Sequence, residues 1–353
     1  MSTEAKQAAM QVACCLTPGD IRLETRARPR PGRGEAILRI RRIGVCGTDI
    51  HAYGGRQPYF DYPRVLGHEL AGEIVEVGAE VASELIGQQA YVIPYLHCGT
   101  CRACRRGRTN CCQRMEVVGV HRDGGMAEYL CVPTGHLVTS DSLSLDALAL
   151  IECQAIGAHA VRRAAIEPGE LAVVVGAGPI GMGVAQLARA SGADVVVVDA
   201  APARLAFCRD VLGFENTLDP TQGDLPGRIA ALNDGALADA VFDATGNPQA
   251  MEAGFALVGH AGRYTLVGVV KADIRFADPD FHARELTLLA SRNATCEDFE
   301  RVATLLAANE IQSLALITHR AELADVPDRM PDWCNPASGV VKAMIHLDDK
   351  PSH

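Results

Sequence analysis

Four cysteines in one short segment are the residues of this sequence best suited to bind a metal ion. They are Cys98, Cys101, Cys104 and Cys112, with two, two and seven residues between them. Gaps of two residues let neighbouring sulfurs face one tetrahedral Zn²⁺. Ferredoxin-type motifs place the fourth cysteine after three residues and follow it with proline, whereas Gln113 follows Cys112 here. The spacing therefore favours zinc over an iron–sulfur cluster, disulfides or free thiols.

The same loop is rich in arginine, which bears on the charge of the predicted site. A zinc ion bound by four thiolates carries a net charge of about −2, and positive side chains can offset it. A phosphate-binding patch is the alternative, but the formal net charge of the chain is −10, which disfavours nucleic-acid binding. The arginines concerned are Arg102, Arg105, Arg106 and Arg108.

A second and sparser set of candidate ligands lies outside this loop. Cys46 belongs to the segment Gly-Val-Cys-Gly-Thr-Asp-Ile-His that ends at His51, and His68 belongs to Gly-His-Glu. Either residue alone is more often part of ordinary packing. A thiolate and an imidazole are common ligands of zinc, so both are candidates for a separate catalytic site.

A glycine-rich turn predicts a dinucleotide site. It follows the apolar run 171–175 directly and opens a helix, so its backbone N–H groups can approach a pyrophosphate. Asp199 ends the next predicted strand, where a carboxylate can accept hydrogen bonds from ribose hydroxyls and repel a 2′-phosphate. Arg204 could attract that phosphate, and a plain surface turn is the alternative, but the pattern favours NAD. The residues expected at the cofactor are Gly176, Gly178, Pro179, Ile180, Gly181, Asp199 and Arg204.

The pattern of elements around these motifs changes near residue 160. Residues 36–160 contain short alternating apolar segments between glycine and proline, which predicts an all-β, barrel-like unit. From there apolar strands, predicted at 171–175, 194–198 and 238–243 among others, alternate with helices, which is typical of a doubly wound parallel sheet in an α/β fold. A helix at about 296–309 and a strand near 340–345 do not fit this alternation of strands and helices, and we assign both to the first domain.

Size and composition set the remaining limits. A chain of 353 residues is long enough for two domains. Nothing at the N-terminus resembles a secretory signal. The longest uncharged run contains several glycines and a proline, so we do not expect it to span a membrane. Thirteen cysteines, several of them grouped as metal ligands, suit a reducing cytoplasm.

Taken in order, these motifs resemble the zinc-dependent medium-chain alcohol and polyol dehydrogenases, in particular the sorbitol and threonine dehydrogenase branch. The match runs from about residue 11 to the C-terminus. The resemblance implies a Rossmann NAD-binding domain over 159–295 and a GroES-like β-barrel catalytic domain over 1–158 and 296–353, with a zinc lobe at about 95–114. It also implies a homo-oligomer, either a dimer or a tetramer.

The resemblance assigns roles to individual residues and implies two zinc ions per chain. Cys46 and His68 would bind the catalytic zinc, and Glu152 would be the third ligand, directly or through water, although Cys153 stands where the branch has proline. Glu69 would be an alternative ligand. Thr48 and His51 would relay the substrate proton, with helix capping or loop structure as the alternative for both residues. The four cysteines of the loop would bind a structural zinc ion.

Substrate identity is the least constrained prediction. Residues 55–64, 291–295 and 335–344 resemble segments of bacterial sugar-acid dehydrogenases that oxidise a C5 hydroxyl of L-galactonate, L-gulonate or L-idonate. An aldonate carries a carboxylate, which arginine binds well, and the candidates are Arg56, Arg292 and Asn293. Polyols, L-threonine and simple secondary alcohols are alternatives. A zinc-stabilised nucleotide-binding redox sensor without enzymatic activity is a more remote one.

Overall fold

The computed structural model describes residues 8–57 and 60–348. The chain divides into two compact units: the first comprises Met1–Glu152 and Ile317–His353, and the second Cys153–Leu316. Nowhere in the described ranges does a helix have the length and apolar character needed to cross a bilayer.

The strands and helices have the following bounds in chain order. The strands are β1 (Ala9–Thr17), β2 (Asp20–Ala27), β3 (Glu35–Val45), β4 (Arg64–Val65), β5 (Glu69–Val77), β6 (Gln89–Val92), β7 (Tyr95–Leu96), β8 (Glu116–Val117), β9 (Tyr129–Pro133), β10 (Leu137–Thr139), β11 (Leu171–Val175), β12 (Asp194–Val198), β13 (Asn216–Leu218), β14 (Ala238–Asp243), β15 (Val258–Leu266), β16 (Thr287–Ala290), β17 (Ile317–Glu322) and β18 (Lys342–His346). The helices are α1 (Gly47–Tyr53), α2 (Arg102–Arg105), α3 (Leu145–Ala164), α4 (Pro179–Arg189), α5 (Pro202–Asp210), α6 (Leu225–Ala230), α7 (Pro248–Gly254), α8 (Asp278–Ala283), α9 (Cys296–Ala307) and α10 (Val326–Trp333).

The first unit is built mainly from antiparallel strands. Its largest sheet has the order β10-β6-β5-β3-β18-β17, and β9 also pairs with β3. A second sheet has the order β2-β1-β4. The inward-facing side chains of these strands form one apolar core that includes Ile40, Ile43, Ile74 and Ile345. The prediction of an all-β unit is confirmed as far as β10 but is wrong for α3, whose residues are buried on nearly every side and therefore show no polar face in the sequence.

The second unit contains a six-stranded parallel sheet with the order β13-β12-β11-β14-β15-β16. Numbered within the unit this order is 3-2-1-4-5-6, which is the Rossmann arrangement. The predicted strands 171–175, 194–198 and 238–243 are confirmed with those bounds. Their buried runs of valine follow from helices covering both faces of a parallel sheet.

The second unit is longer than the predicted nucleotide domain and includes α9, which we had assigned to the first domain. The Asp298 carboxylate lies 2.8 Å from Nδ1 of His159 and accepts a hydrogen bond of 2.7 Å from Nε of Arg162, so it ties α9 to the end of α3. After α9, the backbone N–H of Gln312 donates to the Gln186 side chain on α4 at 2.6 Å. These long-range contacts could not be read from the local helix pattern.

Candidate functional site

Three of the predicted catalytic ligands come together in the first unit. One ligand atom from each of Cys46, His68 and Glu69 lies within 4.8 Å of the others. Cys46 follows β3 and is the N-cap of α1, whereas His68 immediately precedes β5 and Glu69 is its first residue. Because β3 and β5 are neighbours in the sheet, with Gly44 paired to Glu69, the two segments deliver their side chains to one place.

Asp49 holds these two segments together, and the sequence analysis did not identify it as part of the site. Its carboxylate is buried and accepts hydrogen bonds from the backbone N–H of Cys46 at 2.9 Å and of Gly67 at 3.0 Å. The same carboxylate lies 3.9 Å from Nδ1 of His68. The available signal was its place as the third residue of α1, which is the acidic position of a capping box.

Glu152 lies close to this group without belonging to it. It is buried on α3 and accepts a hydrogen bond from the hydroxyl of Tyr95, which is also buried. Burial raises the pKa of Glu152, the positive charge of His68 opposes that rise, and Glu69 adds to it. Cys153, which stands where the branch has proline, is buried on the same helix.

The residues of this centre fit a zinc ion. Nδ1 of His68 is buried and has no hydrogen-bond partner among the described residues. Burial alone would lower the pKa of His68, but the negative charges of Cys46 and Asp49 outweigh it and raise that pKa well above its ordinary value. A place where the protein stabilises an extra positive charge suits a cation, and thiolate, imidazole and carboxylate are the donor types of open zinc sites.

Thr48 and His51, the predicted proton relay, lie three residues apart on α1 and therefore on one side of that helix. Thr48 is half-buried and His51 is exposed. Desolvation by the surrounding protein, followed by the positive charge of Arg56, lowers the pKa of His51. A neutral imidazole is the form that can accept a proton. The relay itself stays a prediction.

The four cysteines of the loop also come together, with one ligand atom from each within 4.8 Å of the others. The sulfur of Cys104 lies 3.4 Å from that of Cys101 and 4.0 Å from that of Cys98. A zinc tetrahedron with bonds of about 2.3 Å has edges of about 3.8 Å, so the spacing fits the ion. The arginines predicted to balance its charge are exposed. Arg114, which is outside that set, donates a side-chain hydrogen bond to Cys98. The pKa of Cys98 is lowered to about 5, mainly by a hydrogen bond from the backbone N–H of Thr100 and next by the one from Arg114.

The predicted dinucleotide turn lies at the carboxyl end of β11 in the second unit. Gly176 has a φ of +100°, and a Cβ atom there would lie 3.0 Å from Thr245. Gly178 is the N-cap of α4 with open space around it, which leaves room for a pyrophosphate against the backbone. Asp199 accepts hydrogen bonds from the N–H of Ala177 at 2.6 Å and of Ala201 at 2.7 Å, so its carboxylate is fixed beside the turn.

The three candidates for binding a substrate carboxylate do not share one unit. Arg56 is exposed in the first unit, and residues Pro58 and Tyr59 of its segment lie outside the described residues. Arg292 and Asn293 follow β16, at the carboxyl edge of the parallel sheet where ligands of such folds bind. Asn293 has a φ of 51°, and its buried Nδ2 has no hydrogen-bond partner within residues 8–57 and 60–348.

Comparison with known proteins agrees with this geometry. Residues 32–142 match the family model of the alcohol dehydrogenase GroES-like domain, and residues 179–308 match that of the zinc-binding dehydrogenases. An L-galactonate-5-dehydrogenase of Escherichia coli K12 is 49% identical over 323 residues, which cover 91% of this chain and 95% of that protein.

Two solved structures resemble the whole chain. The first is described as a short chain alcohol dehydrogenase from Escherichia coli CFT073 complexed with NADH; it has a TM-score of 0.90 at 27% identity and covers 96% of this chain and 99% of its own. The second is a putative zinc-binding dehydrogenase from Sinorhizobium meliloti bound to NADP. Its TM-score is 0.89 at 30% identity, with coverage of 97% and 100%.

Proposed function

The chain belongs to the zinc-binding dehydrogenases, and on that premise we propose that it oxidises a secondary hydroxyl of a sugar acid to the ketone, with hydride transfer to NAD. The observation that carries this proposal is the 49% identity to an L-galactonate-5-dehydrogenase over nearly the whole chain. An aldonate such as L-galactonate or L-gulonate, oxidised at C5, is therefore the expected substrate.

In this proposal Cys46, His68 and Glu152 hold the catalytic zinc, with Glu69 beside them. Zinc, when bound, acts as a Lewis acid that favours loss of the hydroxyl proton. Thr48 orients the substrate hydroxyl, and His51 holds the released proton close to solvent. The second unit binds the dinucleotide at the Gly176 turn.

Arg56, Arg292 and Asn293 are the candidates for the expected selectivity for an acid. The planar guanidinium of Arg292 suits a carboxylate, since arginine can donate two parallel hydrogen bonds to it. Nδ2 of Asn293, for which the described part of the chain offers no hydrogen-bond partner, is a further donor at the same edge of the sheet.

Turnover on a substrate panel tests the function directly. We expect NADH formation at 340 nm with L-galactonate or L-gulonate, and its loss after incubation with a chelator. Sorbitol, L-threonine and simple secondary alcohols are the comparison substrates. Turnover of sorbitol without turnover of any aldonate would reject the substrate class. No turnover on any substrate, with zinc sites filled and NAD bound, would favour a nucleotide-binding sensor.

The cofactor preference for NAD rests on Asp199. Asp199→Asn keeps the size of the side chain and one acceptor oxygen but removes the charge that repels a 2′-phosphate. Hydrogen bonds to charged groups contribute about 1.5–3 kcal/mol, so we expect the ratio of kcat/KM for NAD over NADP to fall by roughly 10–100-fold. Asp194→Asn, an exposed position at the other end of the same strand, is the control. An unchanged ratio in Asp199→Asn would contradict the assignment.

We further propose that the protein forms a homo-oligomer through its parallel sheet. We also propose that it works in a reducing cytoplasm. β16 lies at the edge of the sheet, and Leu288 on it is 39% exposed, which supports pairing with another copy at this edge. Leu288→Lys is expected to shift the mass measured by light scattering toward the monomer. A wild-type chain that is monomeric at every concentration would contradict this. None of the thirteen cysteines, all of which lie among the described residues, forms a disulfide, which supports the compartment.

A further inference from the structure

A buried carboxylate in the second unit has no part in the proposed mechanism. Asp298 lies in the first turn of α9 and is 1% exposed. Its Oδ1 accepts a hydrogen bond of 2.7 Å from Nε of Arg162, and its Oδ2 accepts one of 2.9 Å from the same guanidinium. Nδ1 of His159, a residue that is also buried, lies 2.8 Å from Oδ2. These three residues form what we call the Asp298 cluster, which joins α3 to α9.

The Asp298 cluster also binds the residue from which α9 begins. The backbone N–H and the hydroxyl of Thr295 donate to Oδ2 of Asp298, at 2.8 and 2.9 Å. Together the two residues form a capping box. The guanidinium of Arg162 donates to the Thr295 hydroxyl at 3.0 Å, so a side chain of α3 contacts both members of the box. Thr295 is therefore fixed relative to α3 as well as to its own helix.

The parallel sheet fixes the other end of the segment that precedes α9. The backbone N–H of Ser291 donates to the carbonyl oxygen of Leu266, the last residue of β15, at 2.9 Å. The 291–295 segment is therefore held at both ends. Asn293 in its middle has the left-handed backbone conformation, which asparagine adopts more readily than most residues do. Such a conformation persists where the surrounding structure holds it in place.

The residues between these two anchors are two of the three candidates for binding the substrate carboxylate, Arg292 and Asn293. Buried ionic groups add little stability compared with apolar side chains of the same volume. They do fix directions and distances, because moving one member leaves another charge buried and unpaired. A binding group that is already fixed loses less conformational entropy when its ligand arrives. The Asp298 cluster thus suits a segment that must meet a ligand in one geometry.

We propose that Asp298 is a positioning residue for substrate selectivity, which fixes the 291–295 segment for binding the substrate carboxylate. The inference rests on the proposed function, because it takes the sugar-acid substrate as given. Asp298 acts through Thr295 and does not contact the substrate itself. Its loss should therefore weaken binding of the acid group while leaving hydride transfer and dinucleotide binding largely intact.

Two variants that disrupt the cluster in different ways test this inference by steady-state kinetics. Asp298→Asn keeps the size of the side chain but removes its charge, and Thr295→Val keeps the shape but removes the hydroxyl. In both we expect the KM for L-galactonate to rise roughly 10-fold, with kcat and the KM for NAD changed by less than about twofold, because lost ground-state binding acts on KM. The ratio of kcat/KM for L-galactonate over sorbitol should fall by a similar factor, since sorbitol has no carboxylate.

Two controls separate positioning from a merely structural role. Thr295→Ser retains the hydroxyl and should retain the wild-type KM for L-galactonate. Thr304→Val makes the same change as Thr295→Val at an exposed position near the other end of α9, where the hydroxyl donates only to the carbonyl oxygen of Glu300. It should leave both substrates unaffected. If Asp298→Asn does not fold, Thr295→Val and Thr295→Ser still decide the matter.

A folded Thr295→Val enzyme with the wild-type KM for L-galactonate would overturn the inference. Equal losses of kcat/KM on L-galactonate and sorbitol would also overturn it, because they indicate a general disturbance rather than a loss of acid binding. A wild-type enzyme that turns over no aldonate would instead reject the proposed function on which the inference rests. The two failures are distinguishable, since the first is seen only in the variants and the second already in the wild type.

Discussion

Replacing Cys46 with serine is expected to remove one of two zinc ions per chain and to lower kcat/KM by about 10³-fold or more, with little change in thermal stability. Lewis-acid stabilisation of developing charge is worth several kcal/mol, and each 1.4 kcal/mol is about a factor of ten in rate. The fold should tolerate the change because Cys46 is the N-cap of α1, and serine is a favoured N-cap residue. Metal analysis and steady-state kinetics on the same sample measure both effects.

Cys131→Ser is the matched control for this variant. Cys131 is another half-buried cysteine of the first unit, and its thiol donates to the Glu35 carboxylate at 3.3 Å, a bond that a serine hydroxyl can also make. It should keep both zinc ions and the wild-type rate. A Cys46→Ser enzyme that keeps two zinc ions, or that loses activity only together with its fold, would contradict the assignment.

Replacing Cys104 with serine is expected to have its main effect on local structure. The surrounding elements are too short to be stable alone, since β7 and β8 have two residues each and α2 has four. Metal binding supplies the free energy that orders such small segments, about 10–16 kcal/mol in isolated zinc-finger peptides. We therefore expect zinc to fall to one ion per chain and residues 95–114 to become sensitive to proteases. Limited proteolysis with mass spectrometry locates the cleavage.

Cys111→Ser is the matched control for Cys104→Ser, because it makes the same cysteine-to-serine substitution in the same loop. Cys111 is exposed and adjacent to Cys112 but is not among the four grouped sulfurs. This variant should retain both zinc ions and the resistance of the loop to proteases. If the loop of Cys104→Ser stays resistant while zinc is lost, the metal is not what orders it.

The sequence was informative wherever ligands or strands follow a local pattern. The cysteine spacing, the glycine turn and the valine-rich strands of the second unit each concern residues that are close in the chain. Their physical requirements, tetrahedral geometry, a tight turn and burial on two faces, act over short distances. The grouping of the four cysteines, the turn after β11 and these strands were therefore predicted correctly from the order of residues, and the roles of the individual residues in ligand binding stay predictions.

The groups that adjust the site were missed because their partners are distant in the chain. Tyr95 and Glu152 are separated by 57 residues, and Glu69 and Lys342, whose buried side chains form an ion pair, by 273. No rule of sequence spacing connects such residues. In the sequence, a lysine that the sheet buries cannot be told from a lysine at the surface until the order of the strands is known. α3 was missed for the opposite reason, since its uniform burial removes the periodicity by which a helix is recognised.

The place of β18 in the central sheet has a consequence for how the protein is made. β18 pairs with β3, so strands from the end of the chain, β17 and β18, complete a sheet whose other members emerge from the ribosome early. At roughly 5–20 residues per second, the 273 residues between Glu69 and its lysine take on the order of tens of seconds to synthesise. During that interval the nascent chain carries both glutamates without the ammonium. A chain interrupted before β18 therefore lacks both a strand of the largest sheet and the ammonium that contacts Glu69 in the complete molecule.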